Sequence, residues 1–114
     1  MQISGKVFTF FITLLGYTSL VAADLHDSCT CHLGDSYNWR ITTKACSLYD
    51  SEKHEWGGTY YDTPSGRCTQ RTSEDKLGGN EWEAACRKIA KDGFQCANGQ
   101  GTCFAKPEDV RGWC

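Results

Sequence analysis

The sequence predicts a small α+β domain, a two-layer sandwich in which two helices cover one antiparallel sheet and disulfides staple the layers together. Three observations lead there. Residues 80–92 read as a capped amphipathic helix, the segments 59–71 and 94–105 read as hairpins, and eight cysteines fall within a short chain of 114 residues.

The helix is the clearest element. Asn80 is a good N-cap, Glu83 stands where a capping-box carboxylate reaches back, and Gly93 follows as a left-handed C-terminal cap. Between them Trp82, Ala85, Cys86, Ile89 and Ala90 recur at helical spacing and form one apolar stripe. Glu81, Glu83, Arg87, Lys88 and Lys91 occupy the other face, with acids early and bases late as the helix dipole favours. Cys86 lies inside the stripe, so the helix is expected to be bonded to the surface it covers.

Residues 1–23 read as a signal peptide rather than as part of the fold. Lys6 precedes an apolar run from Val7 to Leu15, and Val21-Ala22-Ala23 supplies the small residues of a cleavage site. The run is too short for a membrane anchor. Cleavage after Ala23 leaves a single disulfide-rich domain, residues 24–114. Lys6 is the only charged residue removed, so this domain holds 11 bases and 14 acids and a formal charge of −3. An acidic balance speaks against nucleic acid or an anionic membrane as partner, since both select a basic face.

Cys29, Cys31, Cys46, Cys68, Cys86, Cys96, Cys103 and Cys114 all fall in the mature domain. An even number in a small secreted chain reads as four disulfides. No metal site is expected: Cys29-Thr30-Cys31-His32 is too tightly spaced for zinc, and no second ligand pair completes it. No cofactor motif is present either. On an extended strand Cys29 and Cys31 point to one face roughly 6.6 Å apart, so they go to different partners. Cys114, the last residue, is expected to tie down a tail.

In chain order, Gly34-Asp35-Ser36 is a turn, and Thr42 or Thr43 caps a short helix through Ala45, Cys46 and Tyr49 to about Ser51. β-Branched Ile41-Thr42-Thr43 suits a strand equally. Residues 53–58 are a glycine-rich loop. Thr59–Asp62 and Arg67–Arg71 flank Thr63-Pro64-Ser65-Gly66, with Pro and Gly placed as a hairpin turn wants them. Residues 72–79 form a second polar loop. A second hairpin, 94–97 with 102–105, closes around Asn98-Gly99-Gln100-Gly101. In that register Cys96 opposes Cys103 at a separation that suits a disulfide poorly, so each is expected to bond elsewhere. Residues 107–114 read as a tail with Trp113 under its terminal bond. The order is the split β-α-β pattern with an extra edge strand at the end.

Candidate chemistry is sparse. His54-Glu55 resembles half of the acid–base machinery of a small secreted ribonuclease, although a solvated loop explains it more simply. Glu52 with Glu55, or Glu74 with Asp75, would be a glycosidase pair only in a domain with a larger cleft. No catalytic residue is assigned. Trp56, Tyr60 and Tyr61 lie beside Gly57-Gly58 near a hairpin, where exposed aromatics can anchor a protein partner or a sugar ring.

The Cys29-Thr30-Cys31 opening, the Trp82-Glu83-Ala84-Ala85-Cys86 helix and the Gly93-Phe94-Gln95-Cys96 exit give a pattern that resembles the small secreted cysteine-rich effectors of plant-pathogenic fungi. The architectural relatives are effectors with the α/β killer-toxin fold and the secreted-in-xylem and avirulence proteins. The resemblance implies virulence through binding a host plant protein, in some cases with a second effector, in the host apoplast or after entry into host cells. It carries over no catalytic residue. Hydrophobins are set aside for want of paired Cys-Cys steps, and basic defensin-like proteins by the acidic balance. A small secreted hydrolase such as a ribonuclease, and a killer-type or antimicrobial toxin, are the alternatives.

Overall fold

The computed structural model describes residues 24–114, so the signal-peptide reading lies outside the described residues. The chain runs β1 (Leu25–His26), β2 (Ser28–Leu33), β3 (Ser36–Tyr37), α1 (Trp39–Ser51), β4 (Thr59–Asp62), β5 (Arg67–Gln70), β6 (Leu77–Gly78), α2 (Gly79–Asp92), β7 (Phe94–Gln95), β8 (Thr102–Cys103), a 3-10 turn (Pro107–Asp109) and β9 (Val110–Trp113). The main sheet has the order β3-β2-β5-β4, with β9 also paired to β2, and every pairing is antiparallel. β1 with β6 and β7 with β8 form two further two-stranded ribbons. The two helices pack on the sheet and on each other, so the expected α+β architecture is present.

The main sheet departs from the expected order in its last strand. The segment after the long helix does not enter it: β7 pairs only with β8, and β9, expected as a tail, lies along the whole second half of β2. Val110 is fully buried there, and Gly112 lies so close to α2 that a Cβ would stand 2.8 Å from the Trp82 ring and 3.0 Å from the Glu83 backbone. The outer edge of β9 is capped rather than left open. Glu83 Oε2 accepts from Gly112 N at 3.1 Å, and Arg87 Nε donates to the Val110 carbonyl at 2.9 Å.

Those bonds explain a second correction. Asn80 and Glu83 form no capping box, because Glu83 is committed to β9. The cap lies two residues earlier, at Gly78, and Gly79 N donates to the Asp24 carbonyl at 2.8 Å. Gly93 does end the helix, but at φ 119 and ψ 147 rather than in the left-handed helical region. A side chain there would meet the Thr102 methyl at 2.5 Å. The predicted stripe is inward, with Trp82, Ala85, Cys86 and Ala90 buried and Ile89 at its margin.

The first helix begins at Trp39, earlier than expected, because Asn38 Oδ1 caps Ile41 N at 2.9 Å. Thr42, read as a cap, is instead buried inside the helix. Its hydroxyl accepts from Cys31 N at 2.9 Å and donates to the Asn38 carbonyl at 2.7 Å, while Asn38 N donates to the Cys31 carbonyl. The start of α1 thus satisfies the backbone of β2 where no strand pairs with that edge.

Four disulfides join Cys29–Cys114, Cys31–Cys86, Cys46–Cys68 and Cys96–Cys103, and no cysteine is free. Cys29 and Cys31 do take different partners, Cys86 does anchor its helix, and Cys114 does tie the C-terminus. Contrary to expectation, Cys96 and Cys103 bond to each other. The hairpin register pairs Phe94 with Cys103 and Gln95 with Thr102, so Cys96 lies in the turn and folds back to its partner. The objection to bonds between opposed residues is also too broad. Cys29 and Cys114 continue the β2–β9 register and bridge at a Cα–Cα distance of 4.1 Å, near the closer of the two spacings in an antiparallel ladder. In the loop-entropy picture the 85-residue closure constrains the unfolded chain by about 4.6 kcal/mol and the seven-residue one by only about 2.4 kcal/mol.

Candidate functional site

Alternation along β2 sorts the surface. Cys29 and Cys31 face the helices, so Thr30 and His32 face away from them. Register carries the same sorting to neighbouring strands. Trp113 sits opposite Thr30, Arg111 and Tyr37 flank His32, and Tyr60 opposes Thr69. Among the described residues no helix covers this outer face. The Trp113 indole stacks on the His32 imidazole, centroids 3.9 Å apart and planes 8° from parallel, and Tyr37 meets the imidazole edge-on at 5.9 Å. His32 is buried beneath them, and its Nδ1 has no hydrogen-bond partner among the described residues. Trp113 remains 48% exposed, so one face of its indole is packed and the other is open.

Tyr37 is held as firmly. Its hydroxyl donates to the Gly66 carbonyl at 2.5 Å and lies 3.2 Å from the Tyr61 hydroxyl. Burial against the hairpin tip, followed by the Tyr61 hydroxyl, pushes its pKa up to about 12. Arg67 reaches across to β2, donating from Nε to Ser28 Oγ at 2.6 Å and from Nη2 to the Ser28 carbonyl at 2.9 Å. Neither Arg67 nor Arg111 forms an ion pair among the described residues. The result is an aromatic platform with two cations at its sides.

The three aromatics singled out in the sequence do not share one face. Tyr60 is 44% exposed and belongs to the platform side of the sheet. Tyr61, its neighbour on the strand, points the other way and is half-buried. Trp56 is half-buried against β6, close enough that a Cβ on Gly78 would stand 2.7 Å from its ring.

His54 lines a separate cleft of about 360 Å³ with Asp50, Lys53, Gly57, Gly58 and Arg71. Its carboxylate partner is not Glu55, which is exposed, but Glu52, with Nε2 to Oε1 at 3.0 Å. The ring packs on Tyr49 at 4.4 Å and lies near parallel to Trp56 at 5.8 Å. Arg71 also faces the cleft, but its Nη2 is bound to Asp50 Oδ2 at 3.1 Å, and Asp50 Oδ1 accepts from Thr59 N at 2.9 Å. The Thr59 amide first, and then Arg71, hold the Asp50 carboxyl below its usual range.

Sequence reasoning missed His32, Tyr37 and Trp113 as a unit. The available signal was parity: two cysteines bonded to different partners on one face of residues 28–33 oblige Thr30 and His32 to occupy the other. What covers His32 comes from β3 and β9, 5 and 81 residues downstream, and only pairing brings them there.

Among the described residues no group of three or more His, Cys, Asp or Glu side chains could hold a metal ion, and no helix is long and apolar enough to cross a membrane. Four disulfides in a domain this small are consistent with an extracellular, secreted protein. No family model, curated protein or solved structure matches the chain.

Proposed function

We propose that this is a secreted interaction protein of the fungal effector kind, which binds a host plant protein, alone or beside a second effector, through the uncovered face of its sheet. One observation carries the reading: the indole of Trp113 is exposed on one face and stacked on buried His32 on the other, with Tyr37 edge-on to that imidazole. An aromatic already fixed in its bound rotamer loses little entropy on docking and makes an efficient anchor. The arginines at its sides favour a partner surface with acidic character.

The test is capture from plant apoplastic fluid by the immobilised mature protein, followed by an affinity measurement with the recovered partner. Trp113→Ala is expected to weaken capture markedly, and the double variant His54→Ala/Glu55→Ala to leave it unchanged. The opposite pattern in folded proteins would overturn the reading.

A hydrolase is the second reading, because His54, Lys53 and Arg71 border one cleft. It is the weaker one, since Arg71 is neutralised by Asp50 and His54 already has a carboxylate partner. RNA cleavage by the purified protein that disappears in His54→Ala would replace the binding reading with this one.

A further inference from the structure

Cleavage after Ala23 would create a chain beginning Asp24-Leu25-His26, with a free amine on Asp24 and an imidazole on the third residue. We infer that this terminus is a binding site for one divalent copper or nickel ion, built from four nitrogens: the Asp24 amine, the Leu25 and His26 backbone amides and the His26 imidazole Nδ1. Consecutive backbone nitrogens close two five-membered chelate rings, and Nδ1 of a histidine in third place closes a six-membered one. All four donors then lie in a plane. Copper(II) and nickel(II) favour such tetragonal nitrogen sets, whereas zinc prefers a tetrahedral one. The donors are mostly backbone atoms, so no cluster of metal-binding side chains marks the site.

The structure favours the imidazole's share of the chelate. His26 already folds back over the first residue, its Nε2 3.1 Å from Asp24 Oδ2, which leaves Nδ1 as the coordinating nitrogen. Asp24 and His26 border a depression of about 280 Å³ with Glu83, and the Asp24 and Glu83 carboxylates give it a negative field that attracts a dication. β1 is two residues long, pairs with β6 among the described residues, and leaves Leu25 40% exposed.

Release is required. Successive amides of a paired strand point to opposite sides and cannot converge on one ion. Binding therefore detaches β1 from β6 and breaks the bond from Gly79 N to the Asp24 carbonyl at the start of α2. The two amide protons leave to solvent and the ammonium loses one more, so roughly three protons are released per ion near neutral pH. No electron is transferred.

The experiment uses the protein secreted through its own leader, with Asp24 verified as first residue by mass spectrometry, and titrates it with copper sulfate and nickel chloride. One ion per chain is expected, with the visible and electron-paramagnetic signature of a planar four-nitrogen copper centre and proton release in a pH-stat. Excess zinc should not displace it. With diamagnetic nickel, the Gly79 amide resonance should move. His26→Ala, and a chain with one extra glycine ahead of Asp24, should each lose the signature and bind more weakly by well over the roughly 100-fold of an outer-shell change. The extension keeps every side chain, so with intact disulfides its failure to bind cannot be a folding defect. Undiminished binding by the extended chain, or a native terminus at another residue, overturns the inference.

Discussion

Two tryptophans meet β2 at the same residue from opposite faces of the sheet. Trp82, from α2, donates its Nε1–H to the Thr30 carbonyl at 2.8 Å and is fully buried. Trp113, from β9, pairs with Thr30 in the ladder, lies over His32 and stays half-exposed. The first is surrounded by core, beside the Cys31–Cys86 bond and edge-on to Tyr49 at 6.1 Å. The second has protein on one side only. The same residue type therefore serves stability on one face and recognition on the other, and the contrast makes quantitative demands.

The largest effect should come from Trp82→Ala. Emptying a closed site and stranding the Thr30 carbonyl contact should cost about 3–5 kcal/mol in denaturant unfolding. Next, replacing Cys31 and Cys86 together by Ala should cost about 2–5 kcal/mol on the same side of the sheet. Binding through the outer face should persist wherever either variant remains folded.

Trp113→Ala should reverse the balance, weakening partner binding by about 1–2 kcal/mol while changing stability by under about 1 kcal/mol. A stability loss equal to that of Trp82→Ala would abolish the distinction between the faces.

The smallest effect concerns the rim. The Asp50 carboxyl is held below its usual pKa by the Thr59 amide and Arg71, so its contribution is present above the ordinary carboxylate range and fades as pH falls through the lowered value. Asp50→Asn should flatten the acid side of the stability profile by under about 1 kcal/mol, as suits a partly solvated pair. An unchanged profile would show that the pair adds nothing.

Legible in the chain alone were the long helix, the 63–66 hairpin turn, the presence of a second hairpin and the inward stripe of α2, each set by neighbours within a few residues, and, from parity, that every cysteine is bonded. Gly66 at φ 71 and the buried run Trp82, Ala85, Cys86, Ala90 follow from local periodicity and turn chemistry. Only the tertiary structure decided where α1 starts, what Glu83 binds, and that residues 110–113 are a strand. In two places a distant backbone group overrode the local rule: the Cys31 amide took Thr42 from its role as a cap, and the Gly112 amide took Glu83 from the capping box. The platform is the extreme case. Its three rings come from β2, β3 and β9, and no spacing in the chain encodes their stacking, because strand pairing alone brings Trp113 over His32.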